Sequence, residues 1–286
     1  MIERLFQIIV SGALWGGVYG LATIGLSLIF GVMGIVNFSQ AEFLMLGMYL
    51  AYFLNKLFGL DPFISILPIS LIFFMGGVAL QKYIISPIIP RPHSIHILYT
   101  ASLMLVIQNV ALSLWTSTPR AIEYPLSWEA LQISFLYINK AHGASFIVAI
   151  AIVIALMLFL KRTEIGVMLR ATADDAGLAS LVGINSGRVY YVAFGLGISI
   201  TGLAGVLIAL YYPFNPTVGN DFSAIMFVAV VMAGLGTIMG SFIAGVLIGI
   251  IQSLSAAYLH TMLQNVLVFL AFLVILIIKP QGLLKK

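Results

Sequence analysis

Charge is missing from this sequence in long blocks. No Asp, Glu, Lys or Arg falls within residues 5–41, 62–81, 92–119, 141–160, 189–220 or 222–278. A soluble domain carries roughly 25% charged residues, whereas this chain carries 8%, against 62% apolar. Such a chain lacks the polar surface to coat a globule in water. Its regular apolar runs also exclude disorder, which needs low hydrophobicity and high charge. The sequence describes an integral membrane protein.

A membrane helix needs about 20 apolar residues, and several of these blocks are too long for one crossing. Dividing them gives segments at 5–30, 38–54, 62–81, 95–115, 144–160, 189–211, 222–236, 241–258 and 262–278. The expected fold is therefore an all-α, polytopic helical bundle of eight or nine membrane segments with broken helices, 222–236 being short enough to be re-entrant. A cleaved signal peptide is not expected, because the run from Leu5 far exceeds a signal core and Met1-Ile-Glu-Arg4 is not a basic leader. Basic residues favour the cytoplasmic side. A cytoplasmic C-terminus puts Lys82, Arg91, Lys161, Arg162, Arg170, Arg188, Lys279, Lys285 and Lys286 inside, and leaves Arg4, Lys56, Arg120 and Lys140 outside. The N-terminus then lies outside. Trp115, Trp128, Tyr211 and Tyr212 near segment ends read as interface anchors.

Catalytic chemistry finds no support in the residues. The absence of cysteine excludes disulfides, thiolate metal sites and cysteine nucleophiles. No Gly-Lys dipeptide occurs, so the chain has no phosphate-binding loop of its own. Gly234-x-Gly236-x-x-x-Gly240 misses the dinucleotide-binding spacing and lies inside an apolar run. His93, His96, His142 and His260 lack metal-ligand spacing. Gly12, Gly16 and Gly20 share a helix face, as do Ser241, Gly245, Gly249 and Ser253, and small residues four apart let helices approach closely in lipid.

Three segments stand out. Glu42 is the only carboxylate well inside an expected membrane segment, and ionisable groups there tend to face a protein interior or a water cavity. Asn37 and Gln40 can cap the following helix reciprocally. One reading is a helix start near the inner interface, with Glu42 offsetting the positive end of the dipole. The other is a broken helix whose N-terminus points into a substrate path. The second segment is Pro213–Asp221, where two prolines and a glycine end one helix and Asn220 or Asp221 can cap the next. It reads either as an ordinary outer loop or as the mouth of a path that includes Asn215 and Asn220.

The third segment is 161–188. Thr172-x-x-Asp175 has the pattern of a capping box, and Gly183 is a natural stop. The helix between them, about 173–182, is too short to cross a bilayer. Leu178, Leu181 and Val182 form an apolar face opposite Asp174 and Asp175. Such a capped helix on the cytoplasmic side suits docking into another protein's groove, the alternative being a helix lying on the membrane surface.

Taken together, the chain resembles the permease subunits of ATP-binding-cassette importers for branched-chain amino acids. The resemblance rests on Gly20-Leu-Ala-Thr-Ile-Gly-Leu-Ser-Leu-Ile-Phe-Gly31 leading through Gly34–Tyr49, then Arg170-Ala through Gly183-Ile-Asn, Gly202-Leu-Ala-Gly205, Gly234–Gly240 and Lys279-Pro-Gln-Gly-Leu283. These blocks follow the family's order, with 55–165 less diagnostic. The resemblance implies one transmembrane permease domain over 1–286, multi-pass in the bacterial inner membrane. The implied partners are a second permease subunit, two cytoplasmic ATPase subunits holding ATP and Mg, and a periplasmic substrate-binding protein, with no nucleic acid. This chain itself would bind no cofactor and catalyse no reaction. Segment 161–188 becomes the coupling loop, with Arg170, Thr172, Asp174, Asp175, Leu178, Leu181, Val182 and Gly183 its contact residues. The translocation path would include Asn37, Phe38, Ser39, Gln40, Glu42, Asn215 and Asn220. The family usually has Asn-Phe-Ala-His-Gly-Glu; here His and Gly are replaced by Gln40 and Ala41, and related systems move amides, urea and other small solutes. An ion-coupled symporter would place several ionisable groups near the midplane; this sequence supplies one, Glu42, nearer a segment end. A passive channel would need no cytoplasmic partner.

Overall fold

A computed structural model describes residues 2–284. Met1, Lys285 and Lys286, the last two assigned inside above, lie outside the described residues. The chain forms helices α1 (Ile2–Met33), α2 (Gln40–Phe58), α3 (Pro62–Leu80), α4 (His93–Trp115), α5 (Lys140–Arg162), α6 (Glu164–Asp174), α7 (Ala176–Leu181), α8 (Ser186–Ile208), α9 (Val218–Ala233), α10 (Ile238–Tyr258) and α11 (Gln264–Ile278). A short hairpin of β1 (Ala130–Ile133) and β2 (Leu136–Asn139) precedes α5. Each of the nine expected segments falls on a helix. Among the described residues, seven helices are long and apolar enough to cross a membrane, α9 being a shorter apolar helix. The fold is a helical membrane bundle.

Two helices form its centre. α1 and α8 are buried along most of their length, while α3, α4 and α11 leave Leu, Ile and Val side chains bare on their outer faces. That inversion suits lipid, where apolar outer surface needs no covering. The two small-residue stripes of the sequence meet each other. A Cβ on Gly12 would lie 2.7 Å from the Gly249 carbonyl, and one on Gly20 would lie 2.7 Å from that of Phe242. α1 and α10 are therefore in backbone contact, which dispersion and close packing can hold without any hydrophobic drive.

The links gather at two ends. At one end, Asp61 caps α3 through the Phe63 N–H (2.8 Å) and accepts the Tyr124 hydroxyl (3.0 Å). Arg120 and Phe214 exchange backbone hydrogen bonds, tying the α4–α5 link to the α8–α9 link. The Arg120 guanidinium stands over the rings of Tyr49, Tyr52 and Phe53. Gln7 on α1 pairs its side-chain amide with both backbone groups of Tyr137, as a neighbouring strand would. The opposite end holds α6, α7 and the base of α1. There Gly31 meets Gly236, and Leu283 and Leu284 donate to the last carbonyls of α9.

Several local expectations change. The hairpin was not expected in an all-α chain; Leu131 and Ile133 alternate with polar residues, a two-residue period. α6 was also unexpected. Thr163 caps it by accepting the Gly166 N–H (3.0 Å), and its buried residues, Leu169 and Thr172, lie three apart on one face. Thr172 is therefore inside α6 rather than at a helix start, its buried hydroxyl unpartnered among the described residues. The capping box Thr172–Asp175 does not form. Asp175 alone begins α7, accepting from Gly177 (2.7 Å) and Leu178 (2.9 Å), and α7 is shorter than the 173–182 helix expected. Nor do Asn220 and Asp221 cap α9. The chain enters that helix through Thr217, and Asn215 accepts from the Thr217 N–H and hydroxyl in a local turn.

Candidate functional site

α1 ends beside α6 and Gly236, and the chain turns back into the bundle. Gly34 takes φ +66°, a left-handed conformation that glycine adopts without strain, and its N–H closes the helix on Phe30. The chain then turns through Asn37 and Ser39, both fully buried, into α2. Asn37 Oδ1 accepts from the Ser39 N–H (3.2 Å) and hydroxyl (2.7 Å), and Asn37 Nδ2 donates to Gln40 Oε1 (2.9 Å). Asn37 and Gln40 thus pair with each other instead of capping α2 reciprocally.

Gln40 carries the chain of bonds across the bundle. Its Nε2 donates to Gly197 O (3.1 Å) and Thr201 Oγ1 (2.6 Å), and Thr201 donates onward to Ala22 O (3.1 Å). Gly197 and Thr201 lie in the middle of α8, so α2 begins part-way along the bundle and not at its end. The network uses both amide hydrogens of Gln40 and its carbonyl, so the polar group is buried at full satisfaction. Gly197 and Thr201 were not singled out in the sequence; Thr201, a hydroxyl between Ile200 and Gly202 in a charge-free run, was the available signal.

Glu42, two residues on, is the opposite case. Its carboxylate is fully buried, and neither oxygen has a hydrogen-bond partner among the described residues. Leaving a buried carboxylate unpaired is strongly unfavourable. It rests on Gly219 in the first turn of α9: a Cβ there would lie 2.6 Å from Oε1 and 3.0 Å from Oε2. Two helix N-termini, those of α2 and α9, therefore flank one carboxylate, and each carries partial positive charge. Phe222, three residues past Gly219, meets Tyr19 and Tyr212 edge-on at 5.7 and 5.6 Å. Phe38 is half-buried against Phe227 (4.8 Å), Asn215 sits in the turn before α9, and Asn220 is exposed beside Gly219. The seven residues assigned to a path thus lie around the starts of α2 and α9, with Phe38 directly before Ser39 and its ring against Phe227.

The 161–188 segment forms a second, separate cluster. α7 ends in a double turn: Ile184 N–H donates to Ala179 O and Gly183 N–H to Ser180 O, both 3.1 Å, with Gly183 at φ +88°. This is a Schellman stop. Leu178, Leu181 and Val182 are 63%, 82% and 77% exposed. α6 packs on the base of α1, and between them a pocket of about 330 Å³ is lined by Ser27, Gly31, Leu169, Arg170, Asp174 and Gly236. α7 is therefore joined to α1, and α1 to the Gln40 network through Ala22.

A polytopic bundle with two helices that start in its interior, and a bare capped helix at one end, has the build of a membrane transport component. The chain belongs to the family of branched-chain amino acid transport system permease components, which matches residues 8–278. It is 28% identical to the high-affinity branched-chain amino acid transport system permease protein LivH of Escherichia coli K12, covering 99% of this chain and 95% of that one. It is 26% identical to the corresponding BraD of Pseudomonas aeruginosa (99% and 96%), and 28% identical to a probable LivH of Methanocaldococcus jannaschii (97% and 92%). No solved structure matches the chain with significance. The chain is thus a permease subunit.

Proposed function

We propose that this permease serves an ATP-driven importer of branched-chain or other hydrophobic amino acids and works by alternating access. The whole chain acts as one transmembrane domain of eight or nine segments in the bacterial inner membrane, with its N-terminus outside and its C-terminus in the cytoplasm. A second permease subunit, two ATPase subunits carrying ATP and Mg, and a periplasmic binding protein complete the machine. The observation that carries the reading is α7, a rigid helix with caps at both ends and an uncovered apolar face.

Alternating access needs only a rigid body with two positions. In this reading, closure of the ATPase pair pushes α7 and α6, and α6 bears on the base of α1 where Gly31 meets Gly236. α1 holds the start of α2 through Ala22, Thr201 and Gln40. Displacing α1 therefore shifts Asn37–Glu42 against α9, and the path opens toward one side. The relatives, named as branched-chain amino acid transport permeases, support branched-chain amino acids as cargo; Gln40 and Ala41, which depart from the family's usual residues, are where an amide or urea carrier would differ.

A second reading, an ion-coupled symporter, is favoured by one observation, the unpaired Glu42. Uptake of labelled leucine by cells expressing the complete system separates the two. The importer predicts uptake abolished by ATP depletion and spared by an uncoupler; the reverse pattern would sink it.

A further inference from the structure

We propose that Glu42 and the first turn of α9 are the two halves of a binding site for a zwitterionic α-amino acid, closed on each other in this conformation. The inference rests on the functional reading above and adds the chemistry by which the path recognises its cargo. Three observations carry it. The Glu42 carboxylate is fully buried and unpartnered among the described residues, although the adjacent Asn37–Gln40–Thr201 network is fully satisfied. It faces the N-terminus of a sixteen-residue helix at a glycine, where no side chain separates it from the backbone. Val218 and Asn220 N–H groups are taken by turn carbonyls, but the Gly219 N–H between them has no partner among the described residues.

An unmatched anion thus rests against an unmatched donor at the positive end of a helix. The charge order across the contact is carboxylate, then helix N-terminus. A zwitterion inserted between them presents its ammonium to Glu42 and its carboxylate to the Gly219 N–H, so both unmet groups are satisfied and the net charge is unchanged. A cation alone would leave the helix end unmet; an anion alone would face Glu42. Beyond Gly219 on the same face, Phe222, Tyr19 and Tyr212 form an apolar wall. The closed contact then describes the empty site, in which both groups stay unmatched until cargo enters.

The test is leucine binding to the assembled importer in nanodiscs without the periplasmic protein, with 4-methylpentanoate, which lacks the ammonium, as the second probe. Glu42→Gln keeps the shape and removes the charge. It is expected to weaken leucine binding by about tenfold or more, the range of one charge-assisted hydrogen bond, and to leave 4-methylpentanoate binding unchanged or tighter. Glu42→Asp keeps the charge and is expected to recover part of the loss. Equal leucine affinity in Glu42→Gln and wild type overturns the site, as does a loss that falls equally on both probes, which marks a packing role. If wild type imports leucine and Glu42→Gln imports it identically, the site fails and the importer reading stands. If the wild-type system neither binds nor imports leucine, both fall.

Discussion

Leu181→Asp separates docking from folding more cleanly than any other substitution in this chain. Leu181 is 82% exposed on the last turn of α7, so within this chain its replacement is a surface change, worth about ±0.5 kcal/mol. The proposed coupling role places the same side chain in an ATPase groove of the complete importer. Losing burial of one leucine removes about 1.5–3 kcal/mol, which weakens docking by roughly 10- to 150-fold. A carboxylate forced into that groove adds a desolvation penalty. An acidic residue at a helix C-terminus is also unfavourable by about 0.3–1 kcal/mol, and Leu181→Gln removes that contribution as a control. The assay is ATP hydrolysis stimulated by substrate-loaded binding protein in proteoliposomes, beside membrane abundance and retention of the ATPase on purification. Both variants should insert at wild-type levels and lose stimulation and uptake. Stimulated hydrolysis at the wild-type rate in both would refute the coupling argument.

Three further outcomes follow from the packing. Gly16→Val drives a side chain into the backbone of α10, and overpacking of about 1–3 kcal/mol or more should lower the thermal midpoint of the detergent-purified chain, whereas Gly76→Ala, in open space, should leave it unmoved. Gln40→Leu strips donors from Gly197 O and Thr201 and an acceptor from Asn37. At about 1–3 kcal/mol for each group left unsatisfied, it should destabilise the bundle, and an unchanged midpoint would mean the network bears no strain. Arg120→Ala removes the cation over Tyr49, Tyr52 and Phe53, worth about 0.5–2 kcal/mol, and should speed proteolysis of the 116–128 loop with the membrane helices intact.

Much of this architecture was legible because lipid imposes one strong rule: runs such as 62–81 and 262–278 admit few alternatives to a helix. The glycine stripes likewise foretold close contact, and α1 and α10 meet along both of them. Boundaries and caps were harder, since several polar residues can serve each helix start. Asn37, Thr172 and Asn220 were all plausible caps, but Thr163 and Asp175 cap α6 and α7, while Ser39 and Thr217 stand at the starts of α2 and α9 without a side-chain cap bond. The difference is tertiary: Asn37 is drawn to Gln40 by the neighbouring α8, and Thr172 is carried inside α6 because Leu169 packs on the base of α1. Glu42 could be marked as unusual from the sequence alone. That it meets Gly219, far along the chain, could not, because no local pattern encodes that pairing.

The central claim is that α7 is where an ATPase grips this chain. Because the sequence contains no cysteine, Leu181→Cys gives a single reactive thiol on the exposed face of α7. In membranes carrying the complete importer, a short bifunctional cross-linker should join that residue to the nucleotide-hydrolysing subunit, with a yield that changes between ATP-bound and nucleotide-free states. A thiol that never reaches that subunit, and that instead reacts with lipid-soluble reagents as freely as one placed at Leu71 on α3, would contradict it.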